Sequence, residues 1–191
     1  KNKIKMKKNF FKSYFKNIAE LLNKLDVENI EKLESIITNV KKKKAKILIF
    51  GNGANMSLSS HFATDMTKNA KIKTNSFGDA NLITCFSNDY GFDNWIKKTI
   101  KYYAIKKDLV ILLSASGKSK NILNAAKFCK KNKINCVSIH GFDKQSILSK
   151  VCKVNIWINS KSYNLIEVVQ TSILLALVDK KIGSVNYKSN L

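Results

Sequence analysis

The chain has 191 residues, 45% of them hydrophobic, which is enough for one sizeable core and leaves little room for a second. That apolar content excludes an intrinsically disordered chain, and the most apolar run, ILLALV at 173–178, is too short to cross a bilayer. The formal charge of +22 at pH 7, carried by lysines along the whole chain, attracts anions. No motif of clustered basic, aromatic or groove-reading residues accompanies it, so a small anion is the expected partner rather than nucleic acid.

In chain order, the basic start KNKIKMKKNFFK runs into an amphipathic pattern rather than the continuous apolar stretch of a signal peptide. Phe11, Phe15, Ile18, Leu22 and Leu25 follow one helical face, and Ile30, Leu33, Ile36, Ile37 and Val40 another. This predicts two helices broken near Asp26, packed on the domain or on another subunit. Lys41–Lys44 reads as a solvated connector, so that a helical arm over 1–44 precedes the main domain over 45–191. From there short strand-like runs at 46–50, 72–77, 108–114, 135–140 and 153–158 alternate with helical stretches. The helices are expected at about 54–69, 79–86, 91–103, 119–132, 145–150 and 163–180. Val-, Ile- and Leu-rich strands separated by helices predict an α/β fold, a parallel sheet with helices on both faces. Cys85, Cys129, Cys136 and Cys152 show no C-x-x-C spacing and sit in apolar contexts. They read as buried free thiols of a reducing compartment, and the expected location is the cytoplasm.

Ligands in such sheets bind beyond the carboxyl ends of the strands, and two strand ends here carry unusual residues. Gly51-Asn52-Gly53 follows the first strand, without the third glycine of a dinucleotide fingerprint. Ser114-Ala115-Ser116-Gly117-Lys118-Ser119 follows the third, without the spacing of a Walker loop. Its hydroxyls, its glycine and a helix start capped by Ser119 suit an anion, and equally suit an ordinary serine-rich turn. His61 and Asp65 stand four apart on one helix face, as an acid–base pair, as half of a metal site, or as a surface ion pair. His140 ends a strand, at a pocket or in a structural role. Asn88 and Asp89 fall in a loop between helices.

Taken together, GNGANMSLSSHFATDMT, DANLITCFSNDYGF, LLSASGKSKNILNAAKF and YNLIEVVQTSILLALVD resemble the sugar isomerase (SIS) domain family, and within it the phosphoheptose isomerases. The resemblance implies a five-stranded parallel sheet of the flavodoxin-like, three-layer kind, assembled as a homotetramer with sites for a phosphorylated sugar at the subunit interfaces. It implies sugar contacts from Asn52, Gly53, Ala54 and Asn55 (a position usually serine), and from Asn88 and Asp89. The phosphate falls to Ser114, Ala115, Ser116 and Ser119. His61 and Asp65 take the catalytic positions, with aspartate where the family has glutamate. Zinc is the cofactor the family implies, with His61 and Asp65 as two of its ligands. The last-helix histidine has no counterpart, since none follows His140, and the helix's glutamine position falls on or near Ile166, leaving Glu167 or Gln170 as partner through a shifted register. The implied reaction is aldose–ketose isomerisation of a heptose phosphate. Loss of the terminal histidine also fits a non-catalytic sensor or adaptor, like the family member that associates with the bacterial replication initiator.

Overall fold

A computed structural model describes residues 9–186. The first eight residues of the basic start lie outside the described residues. Two arm helices, α1 (Phe10–Asn23) and α2 (Val27–Lys42), lead into β1 (Ile47–Phe50), α3 (Ala54–Lys68), β2 (Thr74–Ser76), α4 (Ala80–Tyr90) and α5 (Trp95–Tyr103). There follow β3 (Leu109–Ser114), α6 (Lys120–Lys131), β4 (Asn135–His140), α7 (Ile147–Val151), β5 (Val154–Trp157) and α8 (Tyr163–Ile182). The five strands form one parallel sheet in the order β2-β1-β3-β4-β5.

The central strands β1 and β3 are buried along their whole length, as continuous apolar runs in a sheet covered on both faces must be. Alternate side chains divide the core. Ile47, Ile49, Leu109, Ile111, Val137, Ile139 and Ile156 face α2, α3 and α8. Leu48, Phe50, Val110 and Leu112 face α5 and α6, with Phe50 stacked on Phe77. The expected three-layer architecture is the one observed.

The break at Asp26 is a helix start: its carboxylate accepts from the Asn29 amide at 3.2 Å and caps α2. Lys41 and Lys42 belong to the last turn of α2 rather than to a connector, where they complement the helix dipole. The apolar face of α1 is only half used. Leu21, Leu22 and Leu25 lean on the core, whereas Phe11 and Phe15 are 69% and 63% exposed.

The loop predicted at Asn88-Asp89 is the last turn of α4. Asp79 caps that helix through the Leu82 amide, and it runs to Gly91, whose φ of 77° stops it. Asn and Asp favour turns, but here the glycine two residues on sets the end. Of the four free cysteines, Cys129, Cys136 and Cys152 are buried as expected, and Cys85 is exposed on α4.

At the N-terminal edge of the sheet, the Asp108 carboxylate is fully buried. It accepts from the Lys46 amide (3.0 Å) and the Ile105 amide (2.9 Å), and pairs with Lys46 Nζ (2.6 Å). One side chain thereby ties the entry to β1 to the turn that leads into β3. Asp108→Ala would strand two amides and a half-buried ammonium, and the expected loss is about 3 kcal/mol by urea denaturation. A loss below about 1 kcal/mol would show that water replaces the carboxylate there.

Candidate active site

The strand order reverses direction between β1 and β3, and the two unusual turns follow these two strands. Such a switch point opens a crevice at the strand C-termini. At the β1 turn, α3 starts against the strand end: a Cβ on Gly51 would lie 2.4 Å from Asn55 Cβ, so only glycine fits. Gly53 turns the chain at φ 56°, and Asn55 is buried with its Oδ1 unpartnered. At the β3 turn, Ser114 Oγ accepts from the Gly117 amide (3.1 Å) and Ser116 Oγ from the Lys118 amide (3.2 Å). Gly117 adopts φ 66°. Ala115 is buried, and its carbonyl accepts from the Gly141 amide at 3.0 Å.

Ser119 holds the N-cap position of α6, but its hydroxyl does not bond the helix amides, contrary to the expected cap. Instead Asn121 Oδ1 takes the Ile122 amide at 2.9 Å. The Lys120 and Asn121 amides lie in the first turn, where no preceding carbonyl can reach them. The half-buried Ser116 and Ser119 therefore flank a helix N-terminus with donors to spare, which suits a phosphate.

The two turns are joined. Asn52 and Asn121 exchange side-chain amide bonds in both directions, at 3.0 and 2.9 Å, bridging the crevice between the GNG turn and α6. Asn121 escaped the sequence reading, because a helical asparagine carries no signal until its partner 69 residues away is known.

From the GNG turn, α3 carries Ala54, Leu58, His61 and Asp65 at the i, i+4, i+7, i+11 spacing of one stripe. His61 lies about 10 Å along the axis from Ala54 at 1.5 Å per residue. His61 Nε2 donates to Asp65 Oδ2 at 3.1 Å, and Asn69 Nδ2 reaches Asp65 Oδ1 at 3.4 Å. Asp65 is half-buried and the His61 side chain is 56% exposed. The pair thus faces outward, beside the core-facing stripe of Asn55, Ser59, Phe62, Ala63 and Met66.

A family model described as SIS domain matches residues 13–141. The chain belongs to the SIS domain family. A phosphoheptose isomerase of Aliarcobacter butzleri is 29% identical over 158 residues, covering 78% of this chain and 82% of the relative. The solved phosphoheptose isomerases of Neisseria gonorrhoeae and Francisella tularensis superpose with TM-scores of 0.81 and 0.82. They are 22% and 21% identical, and cover 90% and 91% of this chain and 97% of each of theirs. At that identity they show a shared fold.

The other residues that the family resemblance implies lie on α4 and α8. Asn88 and Asp89 are exposed at the end of α4, where Asn88 Nδ2 donates to Asp89 Oδ1 at 3.1 Å. Ile166 is buried in α8 and packed so closely that a Cβ on Gly141 would lie 2.3 Å from its Cδ1. Gln170 is fully buried, with Nε2 donating to the Ile139 carbonyl at 2.9 Å and Oε1 unpartnered. Its amide nitrogen ties α8 to β4. Glu167, by contrast, is half-buried, and no ion pair engages it among the described residues.

For zinc, the donor set decides. Among the described residues no three His, Cys, Asp or Glu side chains gather as a metal site. His61 and Asp65 are two donors already bonded to each other, one fewer than a catalytic zinc takes from protein. The residues of a single chain do not fit the ion.

His140 ends β4 with no exposed surface, directly beneath the serine turn: a Cβ on Gly117 would lie 3.3 Å from its Nδ1. Nδ1–H donates to the Gly141 carbonyl at 3.1 Å, leaving Nε2 buried without a partner. Burial holds its pKa below the usual 6.5, outweighing the Gly141 bond and the Asp143 charge. The unfolded chain therefore binds the proton first as pH falls. Stability contributed by neutral His140 is complete above about 6.5 and declines below it, down to the lower folded value. Imidazole NMR should find His140 neutral and Nδ1-protonated at pH 6.5, with the urea midpoint falling from pH 7.5 to 5.5. Ordinary half-protonation of His140 at pH 6.5 in the folded protein contradicts this.

Proposed function

We propose that the chain is a phosphosugar aldose–ketose isomerase that interconverts sedoheptulose 7-phosphate and D-glycero-D-manno-heptose 7-phosphate. The observation that carries the reading is the serine turn on the α6 N-terminus, clasped by Asn52–Asn121 to the turn from which α3 brings out His61 and Asp65. The names of the SIS relatives support the same substrate class.

The phosphate sits on Ser114, Ser116, Ser119 and the first-turn amides of α6, which neutralise it without a resident cation. Asn52, Gly53, Ala54 and Asn55 line the sugar, with Asn88 and Asp89 completing the contacts. The carbonyl end of the sugar then lies along the α3 stripe, toward His61 and Asp65. Asp65 takes the proton from C1 of the ketose, the carbonyl oxygen at C2 is protonated, and an enediol forms. Return of the proton to C2, with loss of the hydroxyl proton at C1, gives the aldose. His61 donates to Asp65, keeps its carboxylate oriented and stands as the adjacent acid. Glu167 is the α8 side chain proposed as partner. Gln170, with its amide nitrogen committed to β4, acts there by holding α8 in place.

The test is turnover of sedoheptulose 7-phosphate followed by NMR of the aldose product. Asp65→Asn should lower kcat about 10²- to 10⁴-fold with KM little changed. Ser116→Ala with Ser119→Ala should mainly raise KM. Binding of the sugar phosphate without turnover, with and without added zinc, would leave the non-catalytic sensor as the correct reading.

The exposed Phe11 and Phe15, beside Phe10, support self-association through the arm, and we read residues 1–44 as the oligomerisation element of a homotetramer. No helix among the described residues is long and apolar enough to cross a membrane. Together with four free thiols this supports a cytoplasmic location. Phe11→Lys with Phe15→Lys should convert a tetramer, by light scattering, into smaller species that keep the wild-type circular dichroism. An unchanged mass would assign assembly to another surface.

A further inference from the structure

Far from the two turns, at the N-terminal edge of the sheet, Cys136 and Cys152 lie with their sulfurs 3.5 Å apart. The strand register enforces this. Cys136 is the second residue of β4, Cys152 caps α7 two residues before β5, and Val137 pairs with Val154. Each thiol has little surface of its own, yet both form the wall of a cavity of about 410 Å³. Lys130, Lys133, Lys150 and Lys153 line the same cavity. Cys129 also approaches Cys136 but lies outside that wall.

The two sulfurs are not equivalent. Cys152 is held below the usual thiol range, chiefly by accepting the Cys136 S–H, with Ser138 and Lys130 adding to this against the effect of burial. Cys136 is pushed up by its contacts with Cys129 and Cys152 and by burial. One thiol is thus disposed to be the nucleophile and its neighbour to resolve the product.

We propose that Cys136 and Cys152 are a reversible redox pair, closed to a disulfide by a small peroxide that enters the lysine-rimmed cavity. The Cys152 thiolate attacks one peroxide oxygen, the O–O bond breaks, and hydroxide leaves with the proton that Cys152 gave up, as water. Cys136 then attacks the sulfenic sulfur: the S–S bond forms, the S–O bond breaks, and hydroxide departs with the Cys136 proton as a second water. Two thiols and one hydrogen peroxide give one disulfide and two waters, with both sulfurs oxidised and both peroxide oxygens reduced. To form the bond the sulfurs close from 3.5 Å to the ~2.05 Å of a disulfide.

The loop that this bond would close contains His140, Gly141 and Ser146. Gly141 donates to Ala115 of the serine turn, and a Cβ on Gly117 would touch both His140 and Ser146. Oxidation at one end of the sheet thereby braces the support of the turn at the other.

The test uses the full chain carrying Cys85→Ser, which removes the exposed thiol. Hydrogen peroxide should lower the thiol count from three to one. Unreduced tryptic digestion should yield peptide 134–144 joined to peptide 151–153, and dithiothreitol should reverse both. Cys152→Ser in that background should keep its remaining two thiols under the same treatment. Retention of all three thiols overturns the proposal. So does thiol loss without a joined peptide, or a join between 128–130 and 134–144. The peptide map of the Cys85→Ser protein decides the matter even where the Cys152 variant fails to fold.

Discussion

The reversal of winding between β1 and β3 is the constraint on which the rest of the molecule depends. Five parallel strands in the order β2-β1-β3-β4-β5 force the chain to leave β1 on one side and to return for β3 on the other. The turns after these two strands then have no helix between them, and both helix N-termini aim their unpaired amides into one crevice. Two close approaches exploit that opening. Gly51 admits α3 to the strand end, with no room for a single methyl group, and Gly117 lets the serine turn fold over His140. The Asn52–Asn121 exchange then fixes the distance between the two turns. In the proposed reading the substrate bridges a phosphate site and a proton-transfer site and needs this distance held, since small misplacements of the reacting atoms cost orders of magnitude in rate.

Much of this was legible in the sequence, and the reason is local. Continuous apolar runs such as DLVILLS declare buried parallel strands. Gly-Asn-Gly and Ser-Ala-Ser-Gly declare turns at their ends, and the i, i+4 spacing of His61 and Asp65 by itself fixes a shared helix face. What escaped was non-local or decided by competition. Asn121 gains meaning only from Asn52. Asn88 and Asp89 have turn-forming side chains, but Gly91 offers a better stop, so the helix absorbs them. Ser119 has the right chemistry for a cap, and Asn121 takes the nearby amide instead. Gln170 reads as a polar residue free to serve a site, whereas β4 presents a carbonyl that its amide satisfies inside the core.

The lysine-rich composition acts at two levels. As a field, +22 over 191 residues attracts any anion. As chemistry, in the proposed reading, selectivity for phosphate comes from the serine hydroxyls and helix amides, whose directions are fixed by the fold, rather than from lysines on flexible stems. Charge brings the substrate near, and geometry chooses its orientation. The same division holds at the far edge of the sheet, where four lysines surround a cavity but the reactive groups are two thiols set by strand register.

The two edges of the sheet are not energetically independent. Asp108 anchors the starts of β1 and β3, while their ends carry the paired turns, so a shift of one strand along the other would disturb both together. On the β4–β5 side the loop from Cys136 to Cys152 has its ends at one edge of the sheet. Its middle, at His140–Ser146, lies against the serine turn. Constraining the ends of a loop reduces the freedom of its middle, even when no atom of the middle is touched. His140 sharpens that coupling. It is buried with one nitrogen unsatisfied, and it is held by its bond to the Gly141 carbonyl and by the close approach of Gly117. A buried polar group in that condition is stable only while its surroundings are rigid, so the loop's order and the shape of the serine turn are coupled through it.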